Sequence, residues 1–195
     1  MPASAVRRAT YQDIIDAPEN MIAEIIHGTL YTQPRPAIPH ARVCTRLGSV
    51  LGRHFDDGDD GPTGWLILDK PELHLGREPD ILVPDIAGWR HGRVEPSMED
   101  APWISVAPDW VCEVLSPSTH TRDRGVKLDI YLRERVGHVW LVDPIAETLE
   151  IYRHGGAHWI RQAMHTGSAT VRAEPFDAIE LELARIWKRR VPPQL

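Results

Sequence analysis

Hydrophobic and polar positions along the chain follow two periods. Val43, Leu47, Val50, Leu51 and Phe55 recur at three-to-four spacing, predicting a helix from His40 to Asp57 with Gly58 as its stop. An earlier short helix is predicted from Thr10 to Ala23, with Thr10 as N-cap and Pro18 dividing it in two. Residues 23–32 read as a strand pair turning at His27-Gly28, and the Pro34-Arg35-Pro36 cluster with Pro39 as a loop. Trp65–Leu68 and Glu72–Gly76 follow as strands, then Ile81–Trp89 as one longer strand. Trp110–Leu115 is a continuous apolar run, which suits the middle of a sheet.

Beyond it the spacing predicts a helix from Asp123 to Glu134, capped by Thr119 or Thr121 and stopped at Gly137. His138–Val142 reads as a buried strand. Thr148–Arg153 and His158–His165 form a hairpin at the sheet's far edge, and Ile179–Arg190 a final helix with a basic end. Strands alternating with helices predict an α/β chain, one mixed β-sheet flanked by helices. The length fits a single domain over 1–195 with a frayed tail at 191–195.

Two strand-like runs break their own pattern. Asp85 stands inside Ile81–Trp89 and Glu113 inside Trp110–Leu115, where apolar neighbours are expected. A buried carboxylate is costly unless it is paired or binds a metal. Asp123, Lys127 and Tyr131 are spaced by four and share one helix face. A strand–strand–helix unit carrying two carboxylates and a lysine suits a divalent cation acting on phosphodiesters, with Lys127 steadying a water and Glu24 as a fourth member. Asp80 competes with Asp85, which is preferred because it lies inside the strand. Taken singly, each residue has a plainer role: a turn aspartate, a half-exposed glutamate, a solvated lysine.

Composition narrows this little. A net charge of -6 argues against coating nucleic acid through a global positive field, but not against a local basic groove. Cys44 and Cys112 are too few for a disulfide framework and read as buried hydrophobes. The aspartates of 56–60 lack an EF-hand's later glutamate and read as a solvated loop. With no long apolar span and no signal-peptide core, a cytoplasmic protein without membrane contact is expected. His40 is placed near the mouth of the site, and Trp89 and Trp103 are candidates for partner contact. Segment 122–135 holds five basic and three acidic residues, so Arg122, Arg124, Arg133 and Arg135 could meet phosphates.

Glu24-Ile25-Ile26-His27-Gly28, Pro84-Asp85, Glu113-Val114-Leu115-Ser116-Pro117-Ser118-Thr119, Asp123 with Lys127 and Tyr131, and Trp140-Leu141-Val142-Asp143-Pro144 together resemble the Uma-two family of endonucleases, within the PD-(D/E)xK restriction-endonuclease-like superfamily. The resemblance implies a restriction-endonuclease-like core and a metal-dependent nuclease, with Asp85 and Glu113 as ligands of Mg²⁺ or Mn²⁺ and Glu24 as an accessory acid. The superfamily's lysine two residues after the glutamate is replaced by Leu115, and Lys127 takes its place. DNA is the expected partner, and a homodimer would suit cutting both strands. Two rivals stay open: a catalytically silent binding module of the same fold, and a hydrolase of small phosphate esters.

Overall fold

The computed structural model describes residues 7–56, 64–94 and 101–187. The stop at Gly58, most of the acidic loop, Pro96, the basic end after Trp187 and the tail at 191–195 lie outside the described residues. In chain order the elements are α1 (Tyr11–Ile15), β1 (Met21–Ile26), β2 (Thr29–Pro34), α2 (Ile38–Leu51) running into a π-helical turn (Gly52–Asp56), β3 (Trp65–Asp69), β4 (Leu73–Leu75), β5 (Asp80–Leu82) and β6 (Ile86–Arg90). Then come β7 (Trp110–Val114), α3 (His120–Arg124), α4 (Val126–Arg133), β8 (His138–Asp143), β9 (Thr148–His154), β10 (Trp159–Thr166), β11 (Thr170–Val171), β12 (Leu181–Glu182) and α5 (Leu183–Trp187).

The result is a mixed α/β fold. A six-stranded sheet runs β10-β9-β8-β7-β6-β3, and a four-stranded sheet runs β2-β1-β5-β4. In the larger sheet only β7 and β8 pair in parallel. Strand alternation sorts the two central strands onto two cores. Trp110, Cys112, Val114, Trp140 and Val142 face one side, packed with α2 and the C-terminal segment. Val111, Leu115, Val139 and Leu141 face the other, packed with α4 and with Ile26, Leu73, Leu75 and Leu82 of the smaller sheet. Glu113 belongs to this second set by alternation and is the acid among its apolar members.

Several sequence expectations are corrected. Ile81–Trp89 is two strands in two different sheets, because Pro84 offers no N–H to a ladder and the chain changes sheets there. Asp85 therefore lies at the crossing, while Asp80 is the one within a strand. The first helix ends at Ile15, and the Pro18 region turns straight into β1. The helix around Lys127 is two helices divided at Gly125. Its end is made by Arg135, at φ 61°, rather than Gly137. At Gly137 an added Cβ would lie 3.0 Å from the Asp109 carbonyl oxygen, so that glycine serves a close approach. The final helix starts only at Leu183. Trp89 is fully buried, its Nε1–H donating to the Val106 carbonyl at 2.9 Å, so it cannot contact a partner. The His27-Gly28 turn stands as expected, both residues having positive φ as a two-residue hairpin requires.

Phe176 fills the centre of the first core, its ring 4.8 Å from Phe55, Trp65 and Trp110 and 5.7 Å from Trp140. Phe176→Ala should cost about 3–5 kcal/mol in urea denaturation. A loss below about 1 kcal/mol would mean that this aromatic cluster does not hold the sheet to its C-terminal cover.

Candidate functional site

Changing sheets leaves backbone donors without ladder partners, and carboxylates take them. The Val83 N–H donates to Glu24 Oε1 at 2.9 Å, tying the crossing to β1. The Val114 N–H, at the end of β7, donates to Asp85 Oδ2 at 2.9 Å. The pairing of Ile86 with Cys112 and Ala87 with Val111, extended by one residue, sets Asp85 opposite Glu113. Both residues line one cavity of about 260 Å³, walled by Gln33–Ala37 and by Ser116–Thr119. The second wall is braced internally, Ser116 Oγ lying 3.0 Å from both Ser118 Oγ and Thr119 Oγ1.

Each acid has its own cation. Lys70 Nζ lies 3.1 Å from Asp85 Oδ1, and His40 Nε2 lies 3.0 Å from Oδ2. Lys127 Nζ sits 2.8 Å from Glu113 Oε1, 2.9 Å from Glu24 Oε1 and 3.8 Å from Asp123 Oδ1. Tyr131 donates its hydroxyl to Glu113 Oε1 at 2.5 Å. Glu24, Glu113 and Lys127 are each 1–2% exposed, so the solvated or half-exposed roles open to them in the sequence do not apply.

Burial opposes ionisation of Asp85, but the hydrogen bond and charge of His40, the Lys70 ammonium and the Val114 N–H hold its carboxyl below the ordinary value. Glu113 goes the other way. Burial, with the negative charges of Asp123, Asp85 and Glu24, outweighs Lys127 and pushes it up to about 8. Burial likewise raises Asp123. Lys127 is held above its usual value, since Glu113 and Glu24 overcome the burial that opposes its charge. Three carboxylates around one ammonium carry too much negative charge, and Glu113 is where the deficit falls.

The structure thus brings Glu24, Asp85, Glu113, Lys127 and His40 into one neighbourhood. Lys127 and Glu24 are not on the cavity's lining, whereas Asp85, Glu113, His40 and Asp123 are. Arg122 reaches Gln33 on the wall and lies 3.5 Å from Glu24. Arg124 is paired with Glu150 on β9, and Arg133 with Asp80 and Glu134. Asp80, the sequence competitor, accepts from the His27 N–H at 2.6 Å and bonds Arg133 at 2.9 Å, a structural role at the small sheet. Sequence reasoning missed Lys70 and Cys44. Lys70 directly follows β3 and its N–H donates to the Asp85 carbonyl, so only knowledge that β3 pairs with β6 could have found it.

Between the ordinary glutamate value of 4.5 and about 8, folded Glu113 keeps a proton that the unfolded chain has lost. The folded state binds more protons in that window, so stability falls as pH rises from 5 to 8. Urea denaturation across this range should show that decline in the native chain and a flatter profile in Glu113→Gln. Identical slopes would contradict the assignment.

Comparison with known proteins bears on the fold and the family. A crystal structure described as a putative nuclease belonging to DUF820, from Anabaena variabilis, superposes with a TM-score of 0.71 over 92% of this chain and 97% of that one. Its sequence is 22% identical, so the likeness speaks for the fold alone. No curated protein matches. The family model Uma2, described as "Putative restriction endonuclease", matches residues 8–184, nearly the whole chain. The protein belongs to the Uma2 family.

Proposed function

We propose that this protein is a divalent-cation-dependent nuclease that hydrolyses phosphodiester bonds in DNA. The observation that carries the reading is the register of β6 and β7, which sets Asp85 and Glu113 side by side at the floor of one cavity. The donor set suits Mg²⁺ or Mn²⁺: carboxylate oxygens from β7 and from the crossing just before its neighbour β6, with water for the remaining positions. Glu24 Oε2 is buried with no hydrogen-bond partner among the described residues and faces Arg122 Nε at 3.5 Å, which leaves it capacity to accept a further bond. A bound cation would neutralise the phosphate, hold the attacking water and stabilise the leaving oxygen.

The remaining work falls to the chain. Asp85, kept ionised by Lys70 and His40, is the anchoring ligand. Glu113 is the adjustable one, its proton giving way when positive charge arrives. Lys127 is enclosed and acts through Glu24 and Glu113, holding both carboxylates in place, rather than by meeting water itself. Arg122, beside Gln33 on the wall, is our candidate phosphate contact, and Arg124, committed to Glu150, lies further from the chemistry. A cavity of about 260 Å³ falls just below the range of about 300–1,000 Å³ for pockets that enclose a small molecule. A strand laid across the mouth, with one phosphate entering, fits that size better. Two copies acting together would serve to cut both strands.

Supercoiled plasmid with Mg²⁺ tests the reading. The native chain should nick it, and Asp85→Ala and Glu113→Ala should each lose at least about 100-fold, the scale of several kcal/mol of lost transition-state stabilisation. Equal nicking by all three preparations would reject the assignment.

A further inference from the structure

Cys44 plays no part in that scheme, yet it stands at the site. His40 and Cys44 occupy positions i and i+4 on α2, so both side chains project from one helix face towards Asp85. Cys44 Sγ lies 3.5 Å from His40 Nδ1, and His40 Nε2 lies 3.0 Å from Asp85 Oδ2. One ligand atom from each of the three residues falls within 4.8 Å of the others; His40 and Cys44 are buried, and the Asp85 side chain is 13% exposed. The two close contacts use opposite ring nitrogens, and one ion takes a single nitrogen; edges of a tetrahedron with metal–ligand bonds of about 2.0–2.3 Å span roughly 3.3–3.8 Å, so the imidazole must turn and the ligand atoms draw in from the present spacing to close the set.

We propose that His40, Cys44 and Asp85 form a second cation site, selective for a borderline ion of the Zn²⁺ class. Sulfur and imidazole nitrogen favour such an ion over Mg²⁺, whose preference is for oxygen. One thiolate and one carboxylate balance its two charges, so the assembly is neutral where it is buried. The sulfur–metal bond forms as the thiol proton leaves to solvent. Lys70 stays on Oδ1, since Oδ2 is the oxygen that faces His40. His40 and Asp85 line the cavity, which gives the ion its entry and a water its fourth position. Because Asp85 is shared, this site and the hard-cation site compete. Only that competition rests on the nuclease reading; the binding does not.

Titrating Co²⁺ into the full chain tests the proposal without any activity assay. One equivalent should raise a thiolate-to-cobalt charge-transfer band with the strong visible bands of a four-coordinate ion, and Zn²⁺ should abolish both. Cys44→Ser should remove the charge-transfer band, and Cys112→Ser should leave it. Since a change at buried Cys44 could disturb folding, His40→Ala provides a second check and should weaken Co²⁺ binding at least about tenfold. Absence of the charge-transfer band, its survival in Cys44→Ser, or binding indifferent to His40→Ala would each overturn the site. If Co²⁺ binds as described while plasmid stays intact, the second site stands and the nuclease reading fails.

Discussion

The structure depends on one buried ammonium. Lys127 Nζ joins Glu24 of the small sheet to Glu113 of the large one, from a helix that packs over both. With Asp123 of α3 3.8 Å away, four elements meet at a charge that has almost no solvent. Removing one partner from such a pair strands the others in a low-dielectric interior, at a cost of roughly 3–5 kcal/mol. Apolar side chains could have filled the same volume at no such risk. A buried excess of acid over base does little for stability, and it is what the proposed cation site requires.

Around this point the fold repeats one solution. Where the chain leaves a ladder, a carboxylate takes the orphaned N–H: Glu24 at Val83, Asp85 at Val114, Asp80 at His27. The first two serve double duty, since accepting that bond also holds Glu24 against Lys127 and Asp85 on the cavity lining. Pro84 makes the arrangement possible by ending β5 and sending Asp85 to the crossing. Rigidity of the site thus follows from backbone hydrogen-bond satisfaction, not from a dedicated scaffold.

Much of this was legible in the sequence. The apolar runs of β7 and β8 announced central strands, and acids interrupting apolar runs announced Glu113 and Asp85. The spacing of Asp123, Lys127 and Tyr131 foretold their common face, and the family resemblance foretold the fold. What was hidden was non-local. Asp85 was chosen for lying within a strand, and it lies between two, because periodicity cannot reveal a change of sheet. Lys70 reaches Asp85 only through the pairing of β3 with β6. Cys44 was correctly read as buried, but burial said nothing of the histidine and aspartate beside it. Trp89 was misplaced since a polar neighbourhood in sequence hid an apolar one in space.

Diffraction from crystals soaked in Mn²⁺, recorded at the manganese edge, addresses the central claim most directly. An anomalous peak in contact with carboxylate oxygens of both Asp85 and Glu113, at about the 2.0–2.2 Å of such bonds, is the predicted result. A peak elsewhere, or none at saturating Mn²⁺, would contradict it and leave the acids as partners of Lys70 and Lys127 alone.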